Sequence, residues 1–372
     1  MIEEKYDLGK LVTFIPNKLV PIHNWFYFKE GFSRDFMLLM FDWLKIKKAD
    51  WILDPFCGSG TSLLASKEFG VNAVGIDISP LAVFVTQVKT EDYDLNKIKD
   101  SARELFSKKF KRHDIGRLSQ LTKRAFSKYS LEDILFFKEE IRLIEDPKIR
   151  NFFTLALMNS ANKVTYAYKD GGVIKIFKKS CPPLKKVFKR VIKRMIGNLK
   201  KAYFKGSEIK VYLGDARRMD FLQDKHFDSV ITSPPYLNKI EYTKVYSIEY
   251  DLFFNDLKVD NLRSYIGLNP KNIKDLFPEL NLPEIAKAYL QDMNESIKEI
   301  YRVMKDGSNC VIVVAEGAFP ESIVPVDVLL ADLAERAGLK VEKVVVVNNR
   351  VVTRDRTVKI GRARESIIIM KK

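Results

Sequence analysis

Cysteine is scarce in this 372-residue chain, and its three copies, Cys57, Cys181 and Cys310, lie far apart. An odd number with no C-x-x-C pairing supplies neither a disulfide framework nor a zinc site, so no metal centre is expected. The chain also lacks the basic-then-apolar opening of a signal peptide, and no apolar run is long enough to span a bilayer. These absences predict a soluble, cytoplasmic protein in a reducing compartment. Acidic residues are outnumbered: 48 Asp and Glu stand against 64 Lys and Arg, for a net charge of +16. That excess favours a polyanionic partner, nucleic acid first, over an acidic protein or a neutral metabolite. The plainer alternative is a solvated Lys-rich surface of the kind found in heat-adapted proteins. Few Gln beside many Lys, Glu, Val and Ile also suggest a thermophilic source.

The hydrophobic content of 46% is enough for one large domain with an insertion, or for two domains. Short β-branched runs recur at 51–54, 72–77, 209–213, 227–231, 309–314, 341–347 and 366–370. They are continuously apolar rather than alternating, which predicts strands covered on both faces and hence an α/β doubly wound, mostly parallel sheet. Helical periodicity at 62–69 and 290–304 fills the spaces between, with Asp306-Gly307 expected to end the second helix. Residues 348–365 are polar and Arg-rich and read as an exposed loop between antiparallel neighbours.

The alternation breaks after Val88 and resumes at Ile209. Residues 91–207 therefore read as a helical, basic insertion into a domain formed by 1–90 and 208–372, with 131–144 and 152–164 its best amphipathic segments. Between 169 and 205 stand 13 Lys or Arg and a single acid, Asp170, with Phe177, Phe188, Tyr203 and Phe204 interleaved. This predicts a phosphate-binding surface carrying Lys185, Lys186, Lys189 and Arg190, to which Arg362 of the later Arg-rich stretch is added. An amphipathic helix with a solvated basic face is the competing reading, and Val187, Val191, Ile192 and Ile196 do form an apolar stripe.

Two loops carry chemistry. Asp54-Pro-Phe-Cys-Gly-Ser-Gly-Thr61 leaves the first of these strands and opens a helix, where Gly58 and Gly60 allow a tight turn and close approach to a ligand at the carboxyl edge of the sheet. It has a leading carboxylate and no Lys, which suits an ammonium or sulfonium group better than a triphosphate. Asp77 ends the next strand, about twenty residues on, where an acid can accept hydrogen bonds from ribose hydroxyls. Ser233-Pro-Pro-Tyr236 follows another strand, and its two prolines make a rigid, extended turn whose carbonyls lack local donors. An amine conjugated to an aromatic base is a poor nucleophile, so acceptors must hold its N–H bonds and localise its lone pair. Ser233 Oγ and the Pro234 carbonyl can do this, while Tyr236 offers a face for stacking. Tyr242 and Tyr246 could line the same pocket or simply pack.

Together these loops resemble those of the nucleic-acid amino-methyltransferases, specifically the cytosine-N4 group, whose motifs read D-P-F-C-G-S-G-T and S-P-P-Y. Gly75-Ile-Asp77 and Gly214-Asp215-Ala216 follow in the family's order, and 23–28 with the following 29–33 lies where the family closes over the methionine part of its cofactor. The closing Arg364-Glu-Ser-Ile-Ile-Ile369 is similar to the family's last strand. The resemblance implies a Rossmann-like class I methyltransferase fold, with a seven-stranded, mostly parallel sheet and an antiparallel last strand. It implies S-adenosyl-L-methionine as cofactor, contacted by Tyr27, Asp54, Pro55, Phe56, Cys57, Gly58, Gly60, Thr61, Asp77, Ile78, Asp215 and Ala216. Ser233, Pro234, Pro235 and Tyr236 take the catalytic place, and transfer is direct, with Cys57 a small packed residue rather than a nucleophile. Ser233, where adenine-N6 enzymes usually carry Asp or Asn, favours cytosine N4. The target base must be unpaired or flipped out.

A basic helical platform with little base-reading apparatus suits a structured RNA such as ribosomal RNA, which the sequence reading places ahead of site-specific DNA modification. A tRNA guanine-N2 methyltransferase and a noncatalytic nucleic-acid-binding protein on a decayed methyltransferase fold are the competing functions.

Overall fold

The structure, a computed structural model, describes every residue except 1, 29–30, 171, 203, 205, 238–241, 255–272, 321 and 355–357. A short strand β1 (Ile2–Glu4) is followed by three 3-10 turns and by helix α1 (Arg34–Trp43). The α/β alternation then begins: β2 (Trp51–Asp54), α2 (Thr61–Phe69), β3 (Asn72–Asp77) and α3 (Pro80–Thr90). Five helices and a small hairpin come next: α4 (Leu95–Ser107), α5 (Gln120–Ala125), α6 (Lys128–Arg142), α7 (Pro147–Val164), β4 (Ala167–Asp170) with β5 (Val173–Ile176), and α8 (Leu184–Lys201). The sheet resumes with β6 (Ile209–Leu213) and β7 (Phe227–Thr232), followed by short helices α9 (Tyr242–Val245) and α10 (Ser247–Phe253) and the long α11 (Glu284–Val303). β8 (Met304–Ala315), a two-residue pair β9 (Gly317–Ala318) and β10 (Ile323–Val324), α12 (Val326–Arg336), β11 (Lys340–Arg354) and β12 (Val358–Lys371) complete the chain.

The main sheet has eight strands in the order β1-β11-β12-β8-β7-β2-β3-β6. β6, β3, β2, β7 and β8 run parallel, and β12 is antiparallel to both β8 and β11. This is the Rossmann-like class I methyltransferase arrangement with its antiparallel last strand. The seven expected strands are present, and β1 adds an eighth by pairing in parallel with β11; three residues are too short to announce themselves by periodicity.

Apolar runs are continuous because both sheet faces are covered. Val230, Ile312 and Val314 face α11 and α12 through Leu290, Met293, Ile297 and Leu330, whereas Ile231, Val311 and Val313 face α1 through Phe36, Met37 and Met40. Each such side chain contributes roughly 1.5–3 kcal/mol on burial. Side chains of Ser33, Ser79, Asp94, Ser119, Ser127 and Asp146 cap six of the helices at their N-termini, absorbing amide groups that would otherwise be unpaired.

Three local expectations are corrected. Residues 348–365 are not a loop, since β11 and β12 pair from Lys340 opposite Lys371 to Arg354 opposite Val358, carrying the hairpin past the sheet. The helix before β8 ends at Val303, three residues ahead of Asp306-Gly307, because Met304 already has extended torsions (φ −73°, ψ 142°) and opens the strand. The basic stretch contains the β4–β5 hairpin as well as a helix, and Phe188 is fully buried between Phe106 and Phe137 rather than presented to a ligand. Tyr203 lies outside the described residues.

The helices after α3 do not stand apart from the rest of the molecule. Their core, built on Phe137, Phe152, Phe153 and Phe188, also takes in Phe14, Trp25, Phe26 and Phe28 of the N-terminal segment and Tyr246 and Tyr250 beyond β7. Trp25 packs edge-on against Phe152 at 5.7 Å and donates its indole N–H to Asn198 Oδ1 of α8 at 3.0 Å. Among the described residues no helix is long and apolar enough to cross a membrane, and no group of three His, Cys, Asp or Glu side chains could hold a metal.

Candidate active site

β2 and β7 are neighbouring parallel strands, so the glycine-rich loop and the Pro-Pro loop leave the carboxyl edge of the sheet side by side. Between them lies a cavity of about 470 Å³, within the range of small-molecule sites. Its walls include Asp54 to Ser59, Thr61, Asp77, Ile78, Asp215 and Ala216 together with Ser233, Pro234, Pro235 and Tyr236. Tyr27 reaches it from the N-terminal segment, its ring edge-on to Phe14 at 5.5 Å and beneath Lys18 Nζ at 4.7 Å.

The first loop is built by its two glycines. Cys57 N donates to the Ile76 carbonyl at 2.9 Å and Gly60 N to the Cys57 carbonyl at 2.8 Å, closing a tight turn. Gly58 has φ +50°, and a Cβ there would stand 3.1 Å from the Phe28 ring at the cavity wall. Gly60, at φ +77°, does not line the cavity; a Cβ on it would meet Thr86 Cγ2 at 2.5 Å, so it lets α3 close against the loop. From α3, Thr86 Oγ1 donates to the Gly58 carbonyl at 2.9 Å and Lys89 Nζ to the Ser59 carbonyl at 3.0 Å. Lys89 is buried there, and burial pushes its amine down to about 7.

Asp54 and Asp77 both hold the loop in place. Asp54 is 3% exposed; its carboxylate accepts from Thr232 Oγ1 at 2.6 Å, from Phe56 N at 3.2 Å and from the Ser62 hydroxyl. Asp77 accepts from Gly58 N and Ser79 N, each at 2.8 Å. Burial raises both carboxyls to about 6 against these hydrogen bonds. Asp215 differs: burial would raise it, but the Arg217 guanidinium, which also grips Asp292, holds it below the usual range. The Cys57 thiol is buried and pushed well above its ordinary value by that burial and by Asp77 and Asp54, which leaves it no thiolate character.

The cavity thus combines close backbone approach at Gly58, aromatic walls from Phe14, Tyr27, Phe28 and Phe56, and acids at Asp54, Asp77 and Asp215. That donor set fits a flat heterocycle joined to a positively charged chain, which is the chemistry of S-adenosylmethionine.

Not every expected residue is gathered here. Lys185, Lys186, Lys189 and Arg190 are exposed on α8, and Arg362 is exposed on β12; none of them lines the cavity. Tyr242 opens α9, and its side chain lies outside the described residues. Tyr246 does line the cavity, stacked on Phe28 with ring centroids 5.4 Å apart and planes 3° from parallel. Phe28 and Phe32, from the N-terminal segment expected to close over the cofactor, line the wall, whereas sequence reasoning missed Phe14, Ser79, Tyr250, Arg350 and Glu365, which line it too. Glu365 belongs to the closing Arg364–Ile369 stretch, but its orientation depends on strand register; Phe14 and Tyr250 reach the cavity through packing with no local signature.

Residues 44–87 match the family model described as DNA methylase. Over 92% of its length the chain is 26% identical to the Type II methyltransferase M.BsoBI of Geobacillus stearothermophilus, covering 83% of that protein. It is 26% identical to M.AvaI of Nostoc sp. over 91% of this chain and 83% of the relative. A SAM-dependent methyltransferase structure from Methanosarcina mazei superposes over 88% of this chain and 94% of its own, at 12% identity and a TM-score of 0.33. The matched segment is the glycine-rich loop with its flanking strands, and the chain is an S-adenosylmethionine-dependent amino-methyltransferase acting on nucleic acid.

Proposed function

We propose that the chain methylates the exocyclic N4 amine of cytosine in DNA. The observation that carries this reading is the placement of Ser233-Pro-Pro-Tyr236 on the wall of the cavity that the glycine-rich loop forms. Ser233 Oγ and the Pro234 carbonyl accept from the amine N–H bonds, Pro235 keeps the turn extended, and Tyr236 stacks on the base. The cofactor supplies an electrophilic methyl on a positively charged sulfur. Tyr27, Pro55, Phe56, Gly58, Thr61, Ile78 and Ala216 shape its site, with Asp54, Asp77 and Asp215 supplying the negative charge. Holding the amine in a cavity apart from bulk water makes each hydrogen bond worth more than in solution.

The polymer proposed is DNA, not the structured RNA that a basic helical platform suits. The family model matched is described as DNA methylase, which supports DNA over a structured RNA. Exposed Lys185, Lys186, Lys189 and Arg190 supply the sequence-independent attraction to phosphates, with Arg362 on the hairpin that rises beside the site. The test is to incubate the protein with S-adenosylmethionine and unmethylated bacteriophage λ DNA, or with total RNA, and to identify methylated nucleosides by mass spectrometry. N4-methyldeoxycytidine is the expected product. N6-methyldeoxyadenosine would overturn the choice of base, and methylation confined to RNA would overturn the polymer.

A further inference from the structure

Glu365 sits on β12, 6% exposed, and lines the cavity beside the Pro-Pro loop. Oε1 accepts the Tyr236 hydroxyl at 2.8 Å; Oε2 accepts Asn348 Nδ2 at 2.7 Å and the Arg350 guanidinium at 3.4 Å. Its position is set by register, opposite Asn348 on β11 and Ala315 on β8. A carboxylate taken from water must be repaid by donors, and two of those three come from the adjoining strand. Oε1 is thereby left aimed at the phenol.

The Pro-Pro loop needs such a partner. Two prolines fix the backbone that leads to Tyr236, but its χ1 can still take any staggered rotamer, so a rigid turn does not by itself decide where the ring stands. The phenolic oxygen lies on the ring's own axis, so a charge-assisted hydrogen bond to it anchors the far end of the ring and, beside the packing of Tyr236 on its apolar neighbours, fixes where the ring stands. We propose that Glu365 is a positioning residue for methyl transfer, anchoring the hydroxyl end of the Tyr236 ring so that its face stands where the target base stacks. This rests on the stacking role given to Tyr236 above.

The experiment compares Glu365→Ala, Glu365→Gln, Tyr236→Phe and the Glu365→Ala/Tyr236→Phe pair in single-turnover transfer of tritiated methyl from S-adenosylmethionine to unmethylated λ DNA. Glu365→Ala and Tyr236→Phe should each slow transfer about tenfold or more with cofactor Kd unchanged, the double variant should be no slower than either, and Glu365→Gln should recover most of the rate. Full activity in Tyr236→Phe beside a slow Glu365→Ala would overturn the proposal, as would additive losses in the pair. Loss of the stacking reading is recognised separately, by Tyr236→Ala turning over normally. A second readout needs no substrate: in tyrosine-labelled protein, the Tyr236 ring signals, assigned by their disappearance in Tyr236→Phe, should be sharp in the parent and broadened or doubled by exchange between side-chain positions in Glu365→Ala. Equally sharp, unshifted signals in both overturn the proposal whatever the activity.

Discussion

Thr232 Oγ1 donates to Asp54 Oδ1 at 2.6 Å across the two central strands, immediately before the glycine-rich loop and the Pro-Pro loop diverge. Both residues are buried, so the bond fixes the spacing of the two motifs where each leaves the sheet. Thr232→Val keeps the shape and deletes the donor. A hydrogen bond to a buried charged group contributes roughly 1.5–3 kcal/mol, and the loss should appear in urea unfolding as a lower midpoint with an unchanged slope. An unchanged midpoint would mean the strands are spaced by packing alone.

Acid pH should release the cofactor. Asp54 and Asp77 titrate near 6 in the protein because burial disfavours their charge. A positively charged ligand binds the ionised carboxylates, so affinity is complete above about pH 7 and falls as pH drops through 6. At pH 5 about a tenth of a group with that value is ionised, giving roughly tenfold weaker binding for one controlling carboxylate. The fold responds in the opposite sense. With pKa values raised above those of the unfolded chain, the folded state holds more protons between about pH 4 and 6, so these two groups cost stability as pH rises through that window. Calorimetric titration of S-adenosylmethionine between pH 5 and 8 checks the first statement; a flat profile would remove both acids from the binding energetics.

Turnover and cofactor affinity should separate by motif. Ser233→Ala and Tyr236→Ala should lower single-turnover rate by tenfold or more with cofactor Kd little changed, because their partners are on the base. Asp77→Ala, which frees the Gly58 and Ser79 amides, should weaken cofactor binding first. The reverse pattern would show that the two loops have been given each other's roles.

Salt dependence should report on α8. Replacing Lys185, Lys186, Lys189 and Arg190 with Gln removes up to four phosphate contacts from an exposed helix face. The slope of log K for DNA against log salt should then become shallower by as much as about 3.6, at roughly 0.9 per contact, with S-adenosylmethionine affinity unchanged. A slope equal to the parent's would make this face a solvated surface, and the hairpin carrying Arg362 would become the place to look for the duplex.

Sequence by itself determined the seven principal strands and the two loops. Continuous β-branched runs located those strands, in the centre of the sheet because burial on both faces leaves no polar alternation. The chemistry of Asp54 to Thr61 and Ser233 to Tyr236 is local, written in glycine torsions and proline rigidity, so it could be read residue by residue. Tertiary structure decided what those loops face. Glu365 meets Tyr236 through strand register across 129 residues, and Phe14 reaches the cavity wall through packing, neither of which a local pattern encodes. The Arg-rich stretch reads as a loop because its polar residues lie on a hairpin that runs beyond the sheet, exposed to solvent where no buried face imposes alternation. The helices of the basic stretch close around Trp25, Phe26 and Phe28, giving the cofactor side of the molecule a wall that only the folded chain assembles.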